Sequence, residues 1–537
     1  MKIEGNIVDV QNEKVFPGEI EIRGEKIFRV LKNNKKYKNF ILPGLIDAHL
    51  HIESSLLSIP AFSKEAIKHG TTSVITDCHE IANVYGLKGV DFMMKASKLT
   101  PLKVYFSVPS CIPATPFEDT GIKIGPREIR SLMKRKKVVA LGEMMNFLGV
   151  INEDKEVIEK IKIAKKFKKP IDGHAPLLSG KNLKKYISFG ISTDHECTSF
   201  KEAKEKMRLG MKIMIREGSA AKNLKNLIGL NYDNCFLVSD DIEAKELVEE
   251  GHLDRILRKA IKLGVPLMKA IKMVTLNPAL HYNLDSGVIT PRKRADLIEI
   301  ENLKDFKIKK VFIDGKLIFE KGKILFPLRQ IKIGRNIKIK KKKAEDFIIP
   351  AQKTKVTVRV IKLIPNQILT KEKIVELKTK NGEVVADPKK DILKIVVLNR
   401  YGKEKIGKGF VSGFGLKKGA IASSISHDSH HLIAVGVDDE SITKAVNLVI
   451  KNGGLALVNK KILNLKLPLG GLMSLKEANE VARELRNLIK EAKKLGSKLK
   501  NPFITLSFLA LLVIPELKIS DKGLFNVKKF KFEKLLI

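Results

Sequence analysis

The sequence has no tryptophan, only four cysteines, and far fewer acidic than basic side chains. The four cysteines show no Cys-x-x-Cys spacing, and they indicate reduced thiols in a cytoplasmic protein and not a disulfide framework. The longest apolar run, residues 503–514, ends at Pro515 and is too short to span a bilayer, so no membrane partner is expected. The opening residues Met1-Lys-Ile-Glu are interpreted as the start of a strand and not as a signal peptide.

The shortage of acidic residues leaves 101 Lys and Arg against 60 Asp and Glu, a formal net charge of +41. A nucleic-acid partner is one interpretation of this charge. The other is a lysine-rich composition of the kind found in heat-adapted proteins. The lysines are spread along the whole chain and no basic segment is interleaved with aromatic residues, which favours the second interpretation. We therefore expect no nucleic-acid partner, and we interpret the basic cluster at 338–343 as a linker between domains.

A chain of 537 residues that is 44% hydrophobic is globular and too long for one core. Residues 1–40 are predicted to form short strands of a small β-sandwich, and residues 281–335 to return to it. Between them, residues 41–280 alternate strands with helical stretches, which predicts an α/β fold, a (β/α)8 barrel. Residues 350–537 are predicted to form a C-terminal α/β (α+β) domain. The eight barrel strands are predicted at 41–52, 71–78, 103–110, 138–144, 170–175, 191–196, 212–218 and 235–241.

Two local elements, one strand and one helix, have their own sequence signals. Residues 287–290 have strand character and are assigned to the returning part of the sandwich. In the C-terminal domain, Ser474 and Glu477 have capping-box spacing before an apolar helical face, and Gly496 follows that face. We therefore expect a helix that is capped by Ser474 and ends at Gly496.

Polar side chains with metal-ligand chemistry stand at the ends of most predicted barrel strands. In a (β/α)8 barrel the reactive groups collect at the carboxyl ends of the strands. Five of the 11 histidines fall at these ends, and His49 and His51, two residues apart, would lie on one face of a strand. Such a set can hold one or two divalent metals. The strand-end groups are His49 and His51, Asp77 to Glu80, Glu143, His174, Asp194 to Glu196, and Ser239 to Asp241.

The order of these residues resembles the amidohydrolase superfamily and, within it, the bacterial and archaeal adenine deaminases. The resemblance extends over the whole chain, including the C-terminal domain. The motifs that carry it are Pro43-Gly44-Leu-Ile-Asp47-Ala-His49-Leu-His51-Ile-Glu53-Ser54-Ser55, Cys78-His79-Glu80-Ile-Ala-Asn83, Asp172-Gly-His174-Ala-Pro176, Thr193-Asp194-His195-Glu196 and Ser426-His427-Asp428-Ser429-His430.

The resemblance implies a role for each matching residue. Glu143 would bridge two divalent metals per chain, with manganese as the first choice and iron or zinc as alternatives. Asp240 would bind metal and act as general base and then general acid. The acid for ring nitrogen N1 would be Glu53 or His79, although Glu53 fits equally well as a partner that orients His49 or His51. The full implied metal-ligand set is His49, His51, Glu143, His174, His195 and Asp240.

Residues of the C-terminal motif have two interpretations. In the first, Ser426, His427, Asp428 and His430, together with Glu80, help to bind the substrate. In the second, the stretch is a polar turn that stabilises the C-terminal domain. We favour the first.

The implied activity is hydrolysis of adenine to hypoxanthine and ammonia by a metal-activated water, in purine salvage. The alternative is another amidohydrolase that acts on a cyclic amide or on a different 6-substituted purine. Ring-opening relatives usually need a lysine on strand 4, which this sequence lacks. A cytidine-type zinc deaminase is excluded because no Pro-Cys-x-x-Cys occurs. A homo-oligomer is expected, with a dimer favoured.

Overall fold

The computed structural model describes residues 1–365 and 367–537. The chain forms two compact units, and each draws on more than one stretch of sequence. The first unit comprises Met1–Cys78, Asp91–Cys111 and Ile124–Ile331, and the second comprises His79–Val90, Ile112–Lys123 and Lys332–Ile537. The domain boundaries given above stay a prediction.

The first unit contains a closed barrel of parallel strands. Five strands form one parallel sheet and three form another. Parallel bridges from Ile171 to Ile191 and from Leu50 to Asp240 join the two sheets at both edges. The predicted (β/α)8 barrel is therefore confirmed. Its strands are Leu45–Leu50, Thr71–Asp77, Lys103–Val108, Val138–Met144, Ile171–Gly173, Thr193–Asp194, Lys212–Arg216 and Cys235–Val238.

Apolar side chains from several strands fill the barrel, because alternate residues of a strand face the same side. Ile46, Ile75, Ala140, Met214 and Phe236 belong to one buried cluster. Helices separate the strands along the chain and include Ile59–Lys68, Pro126–Met133, Lys155–Lys166, Gly180–Ser188, Phe200–Arg208, Ala244–Glu249, Leu253–Lys262, Leu267–Lys272 and Leu276–His281.

The N-terminal and returning strands join in one eight-stranded sheet within the first unit. Phe40–Pro43 pairs antiparallel with Leu297–Ile300, and isoleucines of both parts pack into one buried cluster. These strands form a single sheet in the region where the sequence predicts a small β-sandwich, and the strand predicted at residues 287–290 is wrong because these residues lie in an irregular bend. The strands are Lys2–Asp9, Lys14–Arg23, Lys26–Lys32, Phe40–Pro43, Leu297–Ile300, Ile308–Ile313, Lys316–Glu320 and Lys323–Ile324.

The predicted strand 41–52 is in fact two strands that belong to different sheets. Phe40–Pro43 lies in the eight-stranded sheet, whereas Leu45–Leu50 is the first barrel strand. Gly44 separates them, and a Cβ atom at this position would lie 2.3 Å from the side chain of Thr72. Only glycine allows the Thr72 side chain to lie this close to the backbone at position 44.

The second unit is built on a nine-stranded sheet. The long helix begins at Ala478 with Glu477 as its N-cap residue, so the expected cap at Ser474 was wrong, although the predicted apolar face is buried. The sheet strands are Lys355–Leu363, Thr370–Lys380, Glu383–Val384, Ile392–Leu398, Ile406–Ser412, Ala420–Ser423, Leu432–Gly436, Leu455–Val458 and Ile462–Leu465. The other elements include helices His79–Tyr85, Asp439–Asn452, Ala478–Lys494 and Pro502–Ser507, and strands Leu517–Ser520, Gly523–Asn526 and Lys531–Phe532.

Within the described ranges, no helix is both long and apolar enough to cross a membrane. All four cysteines are free thiols and buried.

Candidate metal centre

The first unit gathers all six predicted metal ligands at the carboxyl ends of the barrel strands. His49, His51, Glu143, His174, His195 and Asp240 are each at most 8% exposed. Several groups of three among these residues have ligand atoms within 4.8 Å of one another. His49, His51 and Glu143 form one such group, and Glu143, His174 and His195 form another. The six side chains that the sequence placed at five separate strand ends are thus brought together.

Glu143 lies between two sets of imidazoles. Its Oε1 atom is 3.3 Å from His51 Nε2. Its Oε2 atom is 2.6 Å from His174 Nδ1 and 3.2 Å from His195 Nε2. Each carboxylate oxygen therefore faces a different part of the histidine set, which is the arrangement required of a bridging carboxylate.

Asp240 faces the histidines of the first barrel strand from the end of the eighth. Its Oδ1 atom is 3.4 Å from His49 Nε2 and 3.3 Å from His51 Nε2. The backbone holds it there, because Asp240 N donates to His49 O and His51 N donates to Asp240 O. Asp240 has a φ of 55°, which aspartate tolerates better than most residues. The next side chain, Asp241, also has a carboxylate oxygen within 4.8 Å of ligand atoms of His51 and Asp240, and it accepts a hydrogen bond from the Ser54 hydroxyl.

The histidine tautomer at His51 indicates that a cation belongs in this centre. His51 Nδ1 is 2.9 Å from the carbonyl oxygen of Asp77 and donates its proton there. A neutral ring then presents the Nε2 lone pair to the carboxylates of Glu143 and Asp240 at 3.3 Å. A lone pair that faces two carboxylates needs a proton or a metal between them. The residues present therefore fit a divalent metal.

The electrostatics keep both carboxylates ionised, as metal ligands must be. Burial opposes ionisation of Glu143, but the imidazoles of His195, His174 and His51 hold its pKa well below the usual range. Burial likewise opposes ionisation of Asp240, while His49, His51 and Arg216 hold its pKa well below normal. The same two carboxylates outweigh burial at His51 and raise its pKa.

Sequence reasoning missed Arg216, which ends the seventh barrel strand. Its side chain is 5% exposed and donates to Asp240 Oδ2 at 3.0 Å and to Glu196 Oε2 at 2.8 Å. Glu196 Oε1 in turn lies 3.3 Å from His195 Nε2. Arg216 thus fixes two carboxylates beside the ligand set. The signal was present in the sequence as a basic residue directly after the apolar run Ile213-Met-Ile215.

Glu53, one of the two predicted proton donors, is also in the first unit. It is 2% exposed and lies in the single turn Ile52–Ser55 that follows the first barrel strand. Burial, and then the negative charge of Glu53, raise the pKa of the Cys78 thiol.

The other predicted site residues lie in the second unit, where they form a buried cluster. Glu80 Oε1 lies 2.7 Å from His427 Nδ1, and Glu80 Oε2 contacts His430 Nε2. His79 Nε2 is 3.5 Å from Glu80 Oε1 and 3.9 Å from Asp428 Oδ1. A backbone N–H donates to His430 Nδ1 at 3.4 Å, so the Nε2 proton of His430 points at Glu80. The donor is the backbone N–H of Ser426, so Ser426 belongs to the cluster through its main chain.

His431 has a different environment from its neighbours in the motif. Its Nε2 atom is 3.5 Å from Asp521 Oδ1, and its Nδ1 atom accepts from the Arg400 backbone N–H. Asp521 also accepts from Asn399, so His431 helps to join separate segments of the second unit.

A closed (β/α)8 barrel with imidazoles and carboxylates gathered at its strand ends defines a metal-dependent hydrolase. The amidohydrolase family model matches residues 40–318, and the model for the adenine deaminase C-terminal domain matches residues 367–531. The chain is 49% identical to the adenine deaminase of Methanosphaera stadtmanae, over 99% of this chain and 98% of that protein. It is 48% identical to the adenine deaminase of Methanothermobacter thermautotrophicus, over 99% of each. The chain belongs to the adenine deaminase family of the amidohydrolases.

Proposed function

We propose that the protein hydrolyses adenine to hypoxanthine and ammonia, in purine salvage. The observation that carries this proposal is the similarity of nearly the whole chain to adenine deaminases at 43–49% identity. The buried set of histidines and carboxylates supports it, because replacing an aromatic amino group by oxygen needs an activated water. Family membership also implies a small-molecule substrate, which we take to be the free base adenine.

The divalent metal is proposed to be manganese, with iron or zinc as alternatives, and two ions per chain are expected. Histidine and carboxylate ligands suit all three metals. The position of Glu143 supports two ions, since its two oxygens face His51 on one side and His174 and His195 on the other. His49, His51, His174, His195 and Asp240 are proposed to complete the ligand set.

The proposed chemistry divides between the metal and the chain's own groups. A divalent metal held by these ligands would supply Lewis-acid chemistry that makes water nucleophilic at neutral pH. Asp240 would accept a proton from the attacking water and pass it to the departing amine. Arg216 donates a hydrogen bond to Oδ2 of Asp240, and Oδ1 of the same carboxylate faces the histidines. Glu53 or His79 is proposed to protonate ring nitrogen N1.

In the second unit, Glu80, Ser426, His427, Asp428 and His430 are proposed to bind the purine. The support is that one buried carboxylate, Glu80, fixes the orientation of both imidazoles. The ring of His427 is also stacked on Phe508, with 4.4 Å between the ring centroids. Rings held in this way are suited to hydrogen bonding with a planar base.

Glu143→Gln is expected to lower the metal content from about two ions per chain toward one, because an amide is a poor bridging ligand. Turnover should fall far more than substrate affinity, because the variant impairs activation of the attacking water and not contacts with the substrate. Metal analysis and steady-state kinetics on the purified variant measure both effects. A metal content of two with normal turnover would remove Glu143 from the bridging position.

Arg216→Lys is expected to weaken metal binding by roughly 10- to 100-fold, the usual cost of losing a group that orients a ligand. Lysine keeps the charge but lacks the planar fork that reaches Asp240 and Glu196 together. Competition with a chelator measures the affinity. Wild-type affinity and turnover in this variant would show that Arg216 only neutralises charge.

We further propose a cytoplasmic protein that forms a homo-oligomer, with a dimer favoured, and that has no nucleic-acid or membrane partner. The free, buried cysteines support the cytoplasmic location. A net charge of +41 attracts polyanions, so the proposed absence of a nucleic-acid partner is tested on a heparin column. Weak, salt-labile retention on heparin at physiological ionic strength supports the proposal, and retention that withstands high salt contradicts it.

Ammonia release from a panel of adenine, adenosine, cytosine, guanine and dihydroorotate tests the proposed activity. We expect rapid release from adenine and little from adenosine. Turnover of dihydroorotate in place of adenine would support the alternative of a cyclic-amide hydrolase. Equal rates for adenine and adenosine would contradict the free-base specificity.

A further inference from the structure

A lysine of the first unit is completely buried. Lys206 lies in the helix Phe200–Arg208, which follows the sixth barrel strand, and its side chain has no exposed surface. Its ammonium group donates to the Ala175 carbonyl oxygen at 2.7 Å and to Glu202 Oε1 at 3.0 Å, and it pairs with Asp194 Oδ1 at 3.1 Å. A buried ion pair is often no more stabilising than apolar side chains of the same volume. Fold stability alone therefore does not account for a lysine here.

Two partners of this lysine stand next to proposed metal ligands. Ala175 directly follows His174 in the chain. Asp194 directly precedes His195. The Asp194 carboxylate also accepts the backbone N–H of Ala175 at 2.9 Å and that of Glu196 at 2.8 Å. The lysine and this carboxylate together thus join the ends of the fifth and sixth barrel strands, at the residues that flank the two histidines.

A second buried side chain makes the same kind of link one strand earlier. Tyr186, in the helix Gly180–Ser188, has no exposed surface. Its hydroxyl donates to the Met144 carbonyl oxygen at 2.9 Å and accepts from the His174 backbone N–H at 3.2 Å. Because Met144 directly follows Glu143, this hydroxyl connects the ends of the fourth and fifth strands beside two proposed ligands.

We propose that Lys206 and Tyr186 are positioning residues of the metal centre. From the helices that flank the strands, they hold the strand ends that carry Glu143, His174 and His195 in register. Glu143 Oε2 is 2.6 Å from His174 Nδ1 and 3.2 Å from His195 Nε2, so a shift of one strand end against its neighbour separates ligand atoms. This inference rests on the proposed metal centre and assigns two residues that lie outside the motifs of the family resemblance.

The test measures manganese affinity by competition with a chelator in two variants. Lys206→Met keeps most of the side-chain volume without the ammonium, and it is expected to bind the metal roughly 10- to 100-fold more weakly than wild type. Tyr186→Phe removes only a hydroxyl, and we expect a loss of about 3- to 10-fold, the range for one hydrogen bond. Because both residues act through the ligands, KM for adenine at saturating manganese should stay within about threefold of wild type.

Lys394→Met is the matched control. Lys394 belongs to the second unit, is 2% exposed, and also donates to a carboxylate and to a backbone carbonyl oxygen, those of Asp439 and Phe347. This variant loses the same kind of buried ion pair, so thermal melting should show that it is destabilised. Its metal affinity should nevertheless match that of wild type. An equal loss of affinity in Lys394→Met and Lys206→Met would show a general effect of stability and would overturn the inference.

Wild-type metal affinity in a folded Lys206→Met protein would also overturn the inference. If that variant does not fold, Tyr186→Phe decides, since weaker metal binding supports the positioning role and unchanged binding refutes it. A wild-type protein that binds manganese but does not deaminate adenine would contradict the proposed function and leave the comparison of affinities intact. The two failures are therefore distinguishable.

Discussion

Asp240→Asn is expected to keep its metal and still bind purine, yet to lose at least about three decades of turnover, near the upper range for a lost acid–base group. The asparagine oxygen still faces His49 and His51, where Asp240 Oδ1 lies 3.4 and 3.3 Å from the two Nε2 atoms. It cannot accept and return a proton. Metal analysis, purine binding and steady-state kinetics on one preparation separate these effects.

Asp241→Asn is the control for this variant and should be milder. Asp241 is the next residue in the chain, and its carboxylate accepts a hydrogen bond from the Ser54 hydroxyl at 2.6 Å. Near-normal deamination by Asp240→Asn, or a larger loss in Asp241→Asn, would show that the proton-transferring group has been assigned to the wrong residue.

His51→Ala is expected to abolish both activity and metal content while the fold is retained. His51 Nε2 is 3.3 Å from Glu143 Oε1 and 3.3 Å from Asp240 Oδ1, so its loss removes a ligand that both carboxylates face. The barrel itself is held by strand pairing and apolar packing, which this change leaves in place. Circular dichroism together with metal analysis measures the outcome.

His69→Gln provides a matched control for the loss of an imidazole in the same unit. His69 pairs with Asp254 and Glu65, not with the metal ligands, and this variant should keep its metal. Full metal occupancy in His51→Ala would remove His51 from the ligand set.

The sequence predicted the barrel because each of its strands is a short apolar run followed by a long enough crossover. The strand-end residues followed from the same pattern, since the carboxyl ends of parallel strands meet at one end of a barrel. The structure brings those six side chains together, and their individual roles stay predictions.

Local boundaries were less predictable, because they depend on contacts between distant segments. The division of the predicted strand 41–52 at Gly44 depends on the approach of Thr72, which no local pattern shows. The helix that was expected to be capped by Ser474 begins at Ala478, since the capping-box spacing at 474–477 also suits a turn before the helix. The Ser474 hydroxyl accepts from the Lys476 backbone within that turn.

Arg216 was missed because its significance comes only from tertiary contacts. It is one of 101 basic residues, and only its position between Asp240 and Glu196 distinguishes it. This position cannot be derived from the spacing of residues in the chain.

Metal titration of the metal-free protein, with hypoxanthine formation from adenine followed by absorbance, tests the central claim most directly. Turnover should be absent without metal and rise with added manganese to a plateau near two ions per chain. Hypoxanthine and ammonia should form in equal amounts. Full turnover without metal, or no hypoxanthine at saturating metal and adenine, would contradict the assignment of this chain as a metal-dependent adenine deaminase.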